Sequence, residues 1–261
     1  MRYALALEYD GAPFCGFQSQ PSGCAIQDAL ENALSAIAAG RVRVHASGRT
    51  DAGVHATSQI IHFETDATRP STAWVRGVNS NLPPAIAVLW CSPVANAFHA
   101  RFSATARHYT YLLLNRPERP GLEHRRVGWH PLPLAVDAMC DAAARLTGTH
   151  DFSSFRAAEC QARSPVRTLT TARVSIEAAH LRFEFSASGF LQHMVRNMVG
   201  ALIAVGAGKW TPDWIDAVLA AADRRVGAPT VDAAGLYFAG ADYDVAFALP
   251  ATKRAVAPSG A

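Results

Sequence analysis

The sequence predicts an α+β protein of two β-α-β-β-α-β domains, each with a mainly antiparallel sheet and helices on one face, and with a cleft between the domains. The chain has 261 residues, of which 50% are hydrophobic and 17% are charged. This composition is typical of globular proteins, and the length suits one or two domains. The same order of strand and helix patterns occurs twice, which places a boundary near residue 100 and predicts domains 1–100 and 101–261.

The first predicted domain begins with a strand over residues 2–9, where β-favouring residues precede the turn signal Asp10-Gly11. A helix follows and ends at Gly40, because apolar residues recur at helical spacing, namely at Ile26, Ala29, Leu30, Ala33, Leu34 and Ile37. The remaining elements are predicted as strands over 42–46, 57–64 and 86–90 and a short helix over 72–78.

The second predicted domain repeats this order. It begins with a strand over 106–114, in which Tyr109 and Tyr111 fall on the same face of the alternation. Further elements are predicted as strands over 168–176, 181–186 and 236–239 and as helices over 134–146, 190–205 and 211–222. The duplication is inferred from this order alone, since the halves share too little sequence identity to count as a repeat.

Several classes of protein are excluded by simple patterns. The longest apolar run, Met198 to Gly208, is far shorter than the ~20 residues of a membrane-spanning helix. The five cysteines form no CxxC pair and are odd in number, so we expect neither a disulfide framework nor a structural zinc site. A reducing cytoplasm is the compartment that this cysteine usage predicts.

Charge is unevenly distributed along the chain. The total is +3, but residues 1–100 carry 6 Arg and 7 acidic residues, whereas residues 101–261 carry 16 Arg, 2 Lys and 14 acidic residues. Residues 101–173 are the most basic stretch, with 11 Arg and 6 acidic residues. A solvated basic face and a binding site for a polyanion both explain this pattern.

The connection between two predicted strands, residues 47–55, reads Ser-Gly-Arg-Thr-Asp-Ala-Gly-Val-His. Gly48 and Gly53 allow positive φ angles or close approach of a ligand. Asp51 beside Arg49 suits an ionised carboxylate that acts as nucleophile or base. The alternative is an Asx-type turn in which Thr50 and Asp51 bond local amides and Arg49 is a surface charge.

The predicted helix over 190–205 has two distinct faces. One is apolar and must face the core, and it comprises Leu191, Met194, Val195, Met198 and Leu202. The opposite face carries His193, Arg196, Asn197 and Gly200. This second face is either exposed to solvent, or it directs Arg196 into a cleft while Gly200 permits close packing or the approach of a ligand.

Residues 48–56 resemble the signature of the tRNA pseudouridine synthase A family. The resemblance extends over nearly the whole chain, through Tyr9-Asp10-Gly11 with Phe14, Gly16, Gln18 and Gln20, through 98–104 (Phe-His-Ala-Arg-Phe-Ser-Ala), and through 107–111, 150–155, 189–200 and Gly235-Leu236. Two departures stand out. Phe17 occupies a position where the family usually has Trp, and Val231-Asp232-Ala233 replaces a stretch commonly rich in Ala and Pro.

The resemblance implies a homodimer that converts uridine to pseudouridine at positions 38, 39 and 40 of the tRNA anticodon stem-loop, in a catalytic cleft, without cofactor or metal. The cysteine usage and the short apolar runs add the expectation of a cytoplasmic protein with no membrane partner. It implies that Asp51 is the nucleophile and that Tyr109 stacks on the target base. Arg196 is the implied partner of the catalytic carboxylate, and Arg49 the implied helper in base flipping.

These residue types suit the chemistry. The N1–C1′ bond must break, the uracil must rotate, and C5 must bond to C1′. Attack of Asp51 at C1′, attack at C6 of the base, and a glycal route all remain open at this point. A non-catalytic RNA-binding module is the alternative function. A nucleoside or glycoside hydrolase that pairs Asp51 with another acid such as Glu64 is a third.

Overall fold

A computed structural model of the protein describes residues 1–251. The described chain forms two compact units: the first contains Met1–Arg107 and the segment that begins at Tyr237, and the second contains His108–Leu236. Strands and helices alternate in both units, and antiparallel pairing predominates among the strands, so the predicted α+β class is confirmed. None of the helices within residues 1–251 combines the length and the apolar character required to cross a membrane.

The regular elements follow one another along the chain as a series of ten strands and five α-helices within the described residues. Those before residue 104 are β1 (Arg2–Tyr9), α1 (Ile26–Ala38), β2 (Val44–Ala46), β3 (His55–Glu64), a π-helical turn (Ala73–Gly77), α2 (Val78–Asn81) and β4 (Ile86–Pro93). Those after it are β5 (Ala104–Asn115), β6 (Gly128–His130), α3 (Val136–Leu146), β7 (Gly148–Asp151), β8 (Val166–Glu177), β9 (His180–Ala187), α4 (Met194–Gly206), α5 (Trp214–Ala221) and β10 (Leu236–Tyr243).

In the first unit the strand order is β4-β1-β3-β10, and β2 also pairs with β3. β1 lies antiparallel to both β3 and β4, and its central residues Leu5 and Ala6 have no exposed surface. The continuous apolar character of this strand follows from its central position in the sheet. β10 runs parallel to β3, with Tyr237 opposite His55. This pairing places the last strand beside the start of β3.

Hydrogen bonds at both ends of α1 explain where this helix begins and ends. The N–H of Ala25 donates to a carboxylate oxygen of Asp28 at 3.1 Å, which satisfies a backbone donor at the N-terminus. At the other end Ala39 adopts a left-handed conformation with φ of 53°, and its N–H donates to the carbonyl of Ser35. The predicted stop at Gly40 is therefore displaced by one residue.

In the second unit the strand order is β5-β9-β8-β7, and β6 runs parallel to β5. β8 and β9 form a long antiparallel hairpin that extends from Leu169 opposite Ala187 to Glu177 opposite His180. Helix α3 packs on β8 and on α4. The short strands β6 and β7 were not predicted, because three or four residues carry too little alternation to be recognised.

The predicted helix over 190–205 begins later than expected. His193 has a left-handed conformation with φ of 61°, so regular helix starts only at Met194. Likewise, the helix predicted from residue 211 begins at Trp214.

The division of the chain into domains 1–100 and 101–261 stays a prediction.

The cysteine prediction was wrong at one place. Cys15 and Cys24 form a disulfide, with their Cα atoms 5.7 Å apart. The two residues are brought together because the intervening loop folds back, and the Cys15 N–H donates to the Cys24 carbonyl at 3.2 Å. Spacing alone does not reveal such a reversal, since the pair lacks a CxxC pattern. Cys91, Cys140 and Cys160 are free thiols.

Candidate functional site

The segment predicted to carry the chemistry is residues 47–54, here called the Asp51 loop, which joins β2 to β3. Its Ser47 N–H donates to the Ile60 carbonyl at 2.8 Å. A tight turn follows, in which the Val54 N–H donates to the Asp51 carbonyl at 3.2 Å and Gly53 has φ of 78°. Only glycine adopts such an angle readily. Asp51, half-buried, therefore occupies the first position of a well-defined turn.

A buried polar network lies beneath the loop. The Gln59 side chain accepts from the Ser47 hydroxyl at 2.5 Å and donates to the Gly48 carbonyl at 2.7 Å. The hydroxyls of Tyr9 and Thr50 are 2.8 Å apart. Burial raises the pKa of Tyr9 to about 12, although its hydrogen bonds to Thr50 and Gln59 act in the opposite direction. Tyr9 is thus a neutral phenol, and the loop is held on both sides of Arg49.

Two glycines allow the segment after β1 to approach the Asp51 loop. A Cβ on Gly11 would lie 2.0 Å from the Val54 carbonyl oxygen, a distance that no side chain permits. Gly16, with φ of 106°, packs against Thr50 and Ala52. The Phe17 N–H donates to the Thr50 carbonyl at 2.9 Å. The Phe17 ring is buried and lies 6.3 Å from the Tyr9 ring between centroids. Because the hydrogen bond to Thr50 uses the backbone N–H, Phe in place of the family's usual Trp leaves that bond intact.

Arg49 is exposed on the Asp51 loop. Partial burial and the nearby Arg101 guanidinium lower its pKa. Arg107 links the same region, because its guanidinium donates to the Ser47 carbonyl at 3.4 Å, to the Ala104 carbonyl at 3.0 Å and to the Arg101 carbonyl. The start of the Asp51 loop is thereby tied to the turn that precedes β5.

Tyr109 lies on β5 in the second unit and is half-buried. Its ring meets the Phe190 ring edge to face, with centroids 5.0 Å apart. Tyr111, two residues along the same strand, is 1% exposed and donates to the Asp232 carbonyl at 3.1 Å. Burial, and secondly the Asp232 charge, raise the pKa of Tyr111. Of the two tyrosines, Tyr109 is therefore the one with ring surface left for a ligand.

The predicted polar face of helix α4 is buried at Asn197 and Gly200. Asn197 is 2% exposed and donates to the Phe155 carbonyl at 2.7 Å. A Cβ on Gly200 would lie 2.2 Å from the Pro229 carbonyl oxygen, so the predicted close packing at Gly200 is confirmed. Solvent exposure, the other interpretation of this face, is wrong for both residues.

Arg196 is half-buried on α4, and its Nε donates to the Val231 carbonyl at 2.8 Å. Val231 begins the stretch that departs from the family pattern. Because the contact uses the backbone carbonyl, any residue at this position supplies the same acceptor. The departure therefore leaves this anchor of Arg196 intact.

The four predicted site residues are divided between the units: Asp51 and Arg49 lie in the first, Tyr109 and Arg196 in the second. Sequence reasoning missed the residues that hold the Asp51 loop in place. Gln59 is a polar residue within an apolar strand, and this exception to the pattern could have marked it as a residue with a structural or functional role. Arg107 gave no such signal beyond its place in the motif.

Glu64, the acid considered as a hydrolytic partner of Asp51, lies at the far end of β3 and pairs with Arg2. The ten residues of β3 span about 30 Å. Carboxyl groups that cooperate in glycoside hydrolysis lie within ~10 Å of each other. This geometry argues against Glu64 as the hydrolytic partner of Asp51.

The fold and the signature loop agree with comparisons to known proteins. A family model described as tRNA pseudouridine synthase matches residues 5–103 and 142–244. The chain therefore belongs to the tRNA pseudouridine synthase family. Relatives named tRNA pseudouridine synthase A include proteins of Thiobacillus denitrificans, 56% identical over 97% of this chain and 98% of the relative, and Methylobacillus flagellatus, 54% identical over 97% of each. A third, from Dechloromonas aromatica, is 55% identical over 96% of this chain and 95% of the relative.

Proposed function

We propose that the protein isomerises uridine to pseudouridine in tRNA, at positions 38, 39 and 40 of the anticodon stem-loop. The observation that carries the proposal is the Asp51 loop, in which the complete family signature is held in one conformation by Tyr9, Gln59 and Gly11. A preorganised carboxylate is what a reaction at a ribose or a base requires.

Each site residue has a role that its chemistry supports. Asp51 is the nucleophile, and Arg196 is the guanidinium that keeps this carboxylate ionised and oriented during the reaction. Tyr109 stacks on the detached base, since its ring is only partly covered by Phe190. Arg49, exposed at the edge of the loop, helps to turn the uridine out of the helix, which costs a few kcal/mol.

The reaction is an isomerisation and needs no net oxidant, reductant or water. The N1–C1′ bond breaks, the uracil rotates while it is held, and C5 bonds to C1′ before the C5 proton is lost to a base. Attack at C1′, attack at C6 and a glycal route all use the Asp51 carboxylate as the reacting group. We propose that no cofactor or metal takes part, that the protein acts as a homodimer, and that it acts in the cytoplasm, where tRNA is its substrate.

The test is incubation of the purified protein with an unmodified tRNA transcript, followed by mapping of pseudouridine at each position. We expect product at 38, 39 and 40 from the wild type. Asp51→Asn and Asp51→Ala abolish product yet retain tRNA binding, because the carboxylate acts on the reaction rather than on the phosphates.

Asp66→Asn is the matched control, since Asp66 is an acidic residue of the same unit outside the loop. Product from Asp51→Ala would refute the nucleophile assignment. Binding by the wild type without any product would instead support the alternative of a non-catalytic RNA-binding module, and free uracil would indicate a hydrolase.

A further inference from the structure

Phe102 is unusual among the large apolar side chains of the protein. It is 77% exposed, whereas Phe98, four residues earlier, has no exposed surface. It lies in the turn before β5, within residues 99–103, here called the Phe102 turn. Single exposed apolar side chains are common on protein surfaces, but an exposed aromatic ring that is held in place offers a flat face on which a ligand can stack.

The Phe102 turn is rigidly built. The ring nitrogen Nδ1 of His99 accepts from the N–H groups of Arg101 and Phe102 at 3.1 and 3.3 Å. Ser103 closes the turn, because its hydroxyl accepts from the His99 N–H at 2.9 Å and its own N–H donates to the His99 carbonyl at 2.9 Å. The His99 and Phe102 ring centroids lie 4.3 Å apart. Phe102 is thus held in place although it is exposed.

The turn is also fixed to the Asp51 loop. Arg107 donates to the Arg101 carbonyl within the turn, to the Ala104 carbonyl directly after it, and to the Ser47 carbonyl at the start of the Asp51 loop. All of these residues belong to the first unit. The position of the Phe102 ring is therefore defined relative to the loop that carries Asp51.

The charges around Phe102 indicate the kind of ligand. The Arg101 guanidinium lies 5.8 Å from the centre of the Phe102 ring, and Arg49 is close enough to feel the Arg101 charge. Within residues 1–251 neither arginine forms an ion pair with a carboxylate. A guanidinium group beside an exposed ring favours an anionic ligand with an aromatic face, and a nucleotide has both features.

We propose that Phe102 and Arg101 form a platform on which one unpaired base of the tRNA stacks, beside the uridine that Asp51 isomerises. Arg101 neutralises the adjoining phosphate. A base within a duplex has both faces covered, so only an unpaired nucleotide of the loop, or a neighbour left unstacked by the flipped uridine, can occupy the platform. A second copy of this chain is disfavoured as occupant, because a symmetric contact would bring the guanidinium groups of both copies together.

This inference rests on the proposed function for the identity of the RNA, so the test measures binding apart from turnover. Affinity for the unmodified tRNA is measured for Phe102→Ala, Phe102→Trp and Ile176→Ala, each in the Asp51→Asn background. Loss of one stacked base weakens RNA binding by ~1–3 kcal/mol, so we expect Phe102→Ala to raise the Kd about 5- to 150-fold. Phe102→Trp retains a flat ring and binds within about threefold of the parent.

Ile176→Ala is the control, because Ile176 is exposed to a similar extent, 66%, on β8 of the second unit. A second series uses anticodon stem-loops with single abasic nucleotides. One of these RNAs should bind the parent and Phe102→Ala with equal affinity, since it lacks the base that stacks on the ring.

Unchanged affinity of Phe102→Ala for the intact RNA would overturn the platform. The platform would also be overturned if Phe102→Ala weakened the binding of every abasic RNA by the same factor. A loss of affinity that accompanies a change in oligomeric state, measured by sedimentation, would overturn it as well, because a second copy of the chain would then occupy Phe102. Absence of pseudouridine from the wild type, with the Phe102-dependent affinity retained, would refute the proposed function and leave the platform standing.

Discussion

The hydrogen bond between Tyr9 and Thr50 joins residues 41 positions apart, and it illustrates which contacts of a single residue the sequence cannot predict. Asp51 and Arg49 were predicted as site residues because they lie in one short polar segment, bracketed by glycines, that resembles the family signature. Tyr9 and Gln59, which hold that segment, come from two separate strands. No local pattern links them to the loop, since their proximity arises only when β1 and β3 pair.

His62 illustrates how one residue makes stability depend on pH. It is 3% exposed, and its Nδ1 accepts from the Ala100 N–H at 3.1 Å. Burial, then the neighbouring His99 and His45 and Arg2, lower its pKa from 6.5 to about 4, while Glu64 acts in the opposite direction. The unfolded chain therefore takes up this proton at higher pH than the folded chain does.

We expect the stability contributed by neutral His62 to be complete above pH 6.5 and to be lost as the pH falls towards about 4. His62→Gln keeps an acceptor for the Ala100 N–H but does not titrate. Between these pH values the variant should lose roughly 2 kcal/mol less unfolding free energy than the wild type, in denaturant titrations at each pH. His124→Gln, at an exposed histidine, is the control, and equal pH dependence of all three proteins would contradict the assignment.

At the scale of elements, periodicity located every long strand and helix, and it failed where the chain departs from regular geometry. The start of α4 is set by His193, which has a left-handed backbone conformation. Such a conformation is uncommon for residues other than glycine, so the sequence gives no sign of it at a histidine. The parallel pairing of β10 with β3 was also not predictable, because it joins Tyr237 to His55 across most of the chain. The face of α4 with Asn197 looked polar yet is buried, since its side-chain partners come from distant loops.

The loop closed by Cys15 and Cys24 supports the Asp51 loop, because Gly16 and Phe17 within it contact Thr50. Closing a loop of this length stabilises a protein by about 2.5 kcal/mol through the unfolded state. We expect the double variant Cys15→Ser and Cys24→Ser to lose roughly that free energy of unfolding and to isomerise uridine more slowly at unchanged tRNA affinity. Denaturant titration and single-turnover kinetics measure the two effects.

Cys160→Ser serves as the control, because Cys160 is a free thiol outside this loop. Dithiothreitol should reproduce the effect of the double variant in the wild type, since it reduces the same bond. If oxidised wild type, reduced wild type and double variant unfold alike, the disulfide contributes nothing to the support of the Asp51 loop.

For the whole molecule, the uneven distribution of charge is a property that can be counted directly from the sequence. Most of the 11 arginines of residues 101–173 lie at the surface, among them Arg119 and Arg163. We expect Arg119→Gln with Arg163→Gln to weaken tRNA binding and to reduce the slope of log K against log salt by about one for each phosphate that the variant no longer neutralises. Filter binding across a salt series measures the slope.

The matched control is Arg41→Gln with Arg76→Gln, which removes two exposed arginines of the first unit outside the basic stretch. It changes net charge by the same amount but should leave the slope unaltered. Equal slopes for all the variants would place the tRNA on another surface.

The position of β10 has a consequence for how the protein is made. A ribosome synthesises β3 and the Asp51 loop early, but the strand that pairs beside His55 emerges only after residue 236. Until then the first residues of β3, His55 and Ala56, lack the β10 partner beside the Asp51 loop, although β2 already pairs with the other end of the strand. Translation that stops before residue 236 thus releases a fragment whose sheet lacks the strand next to the start of β3, where the Asp51 loop ends.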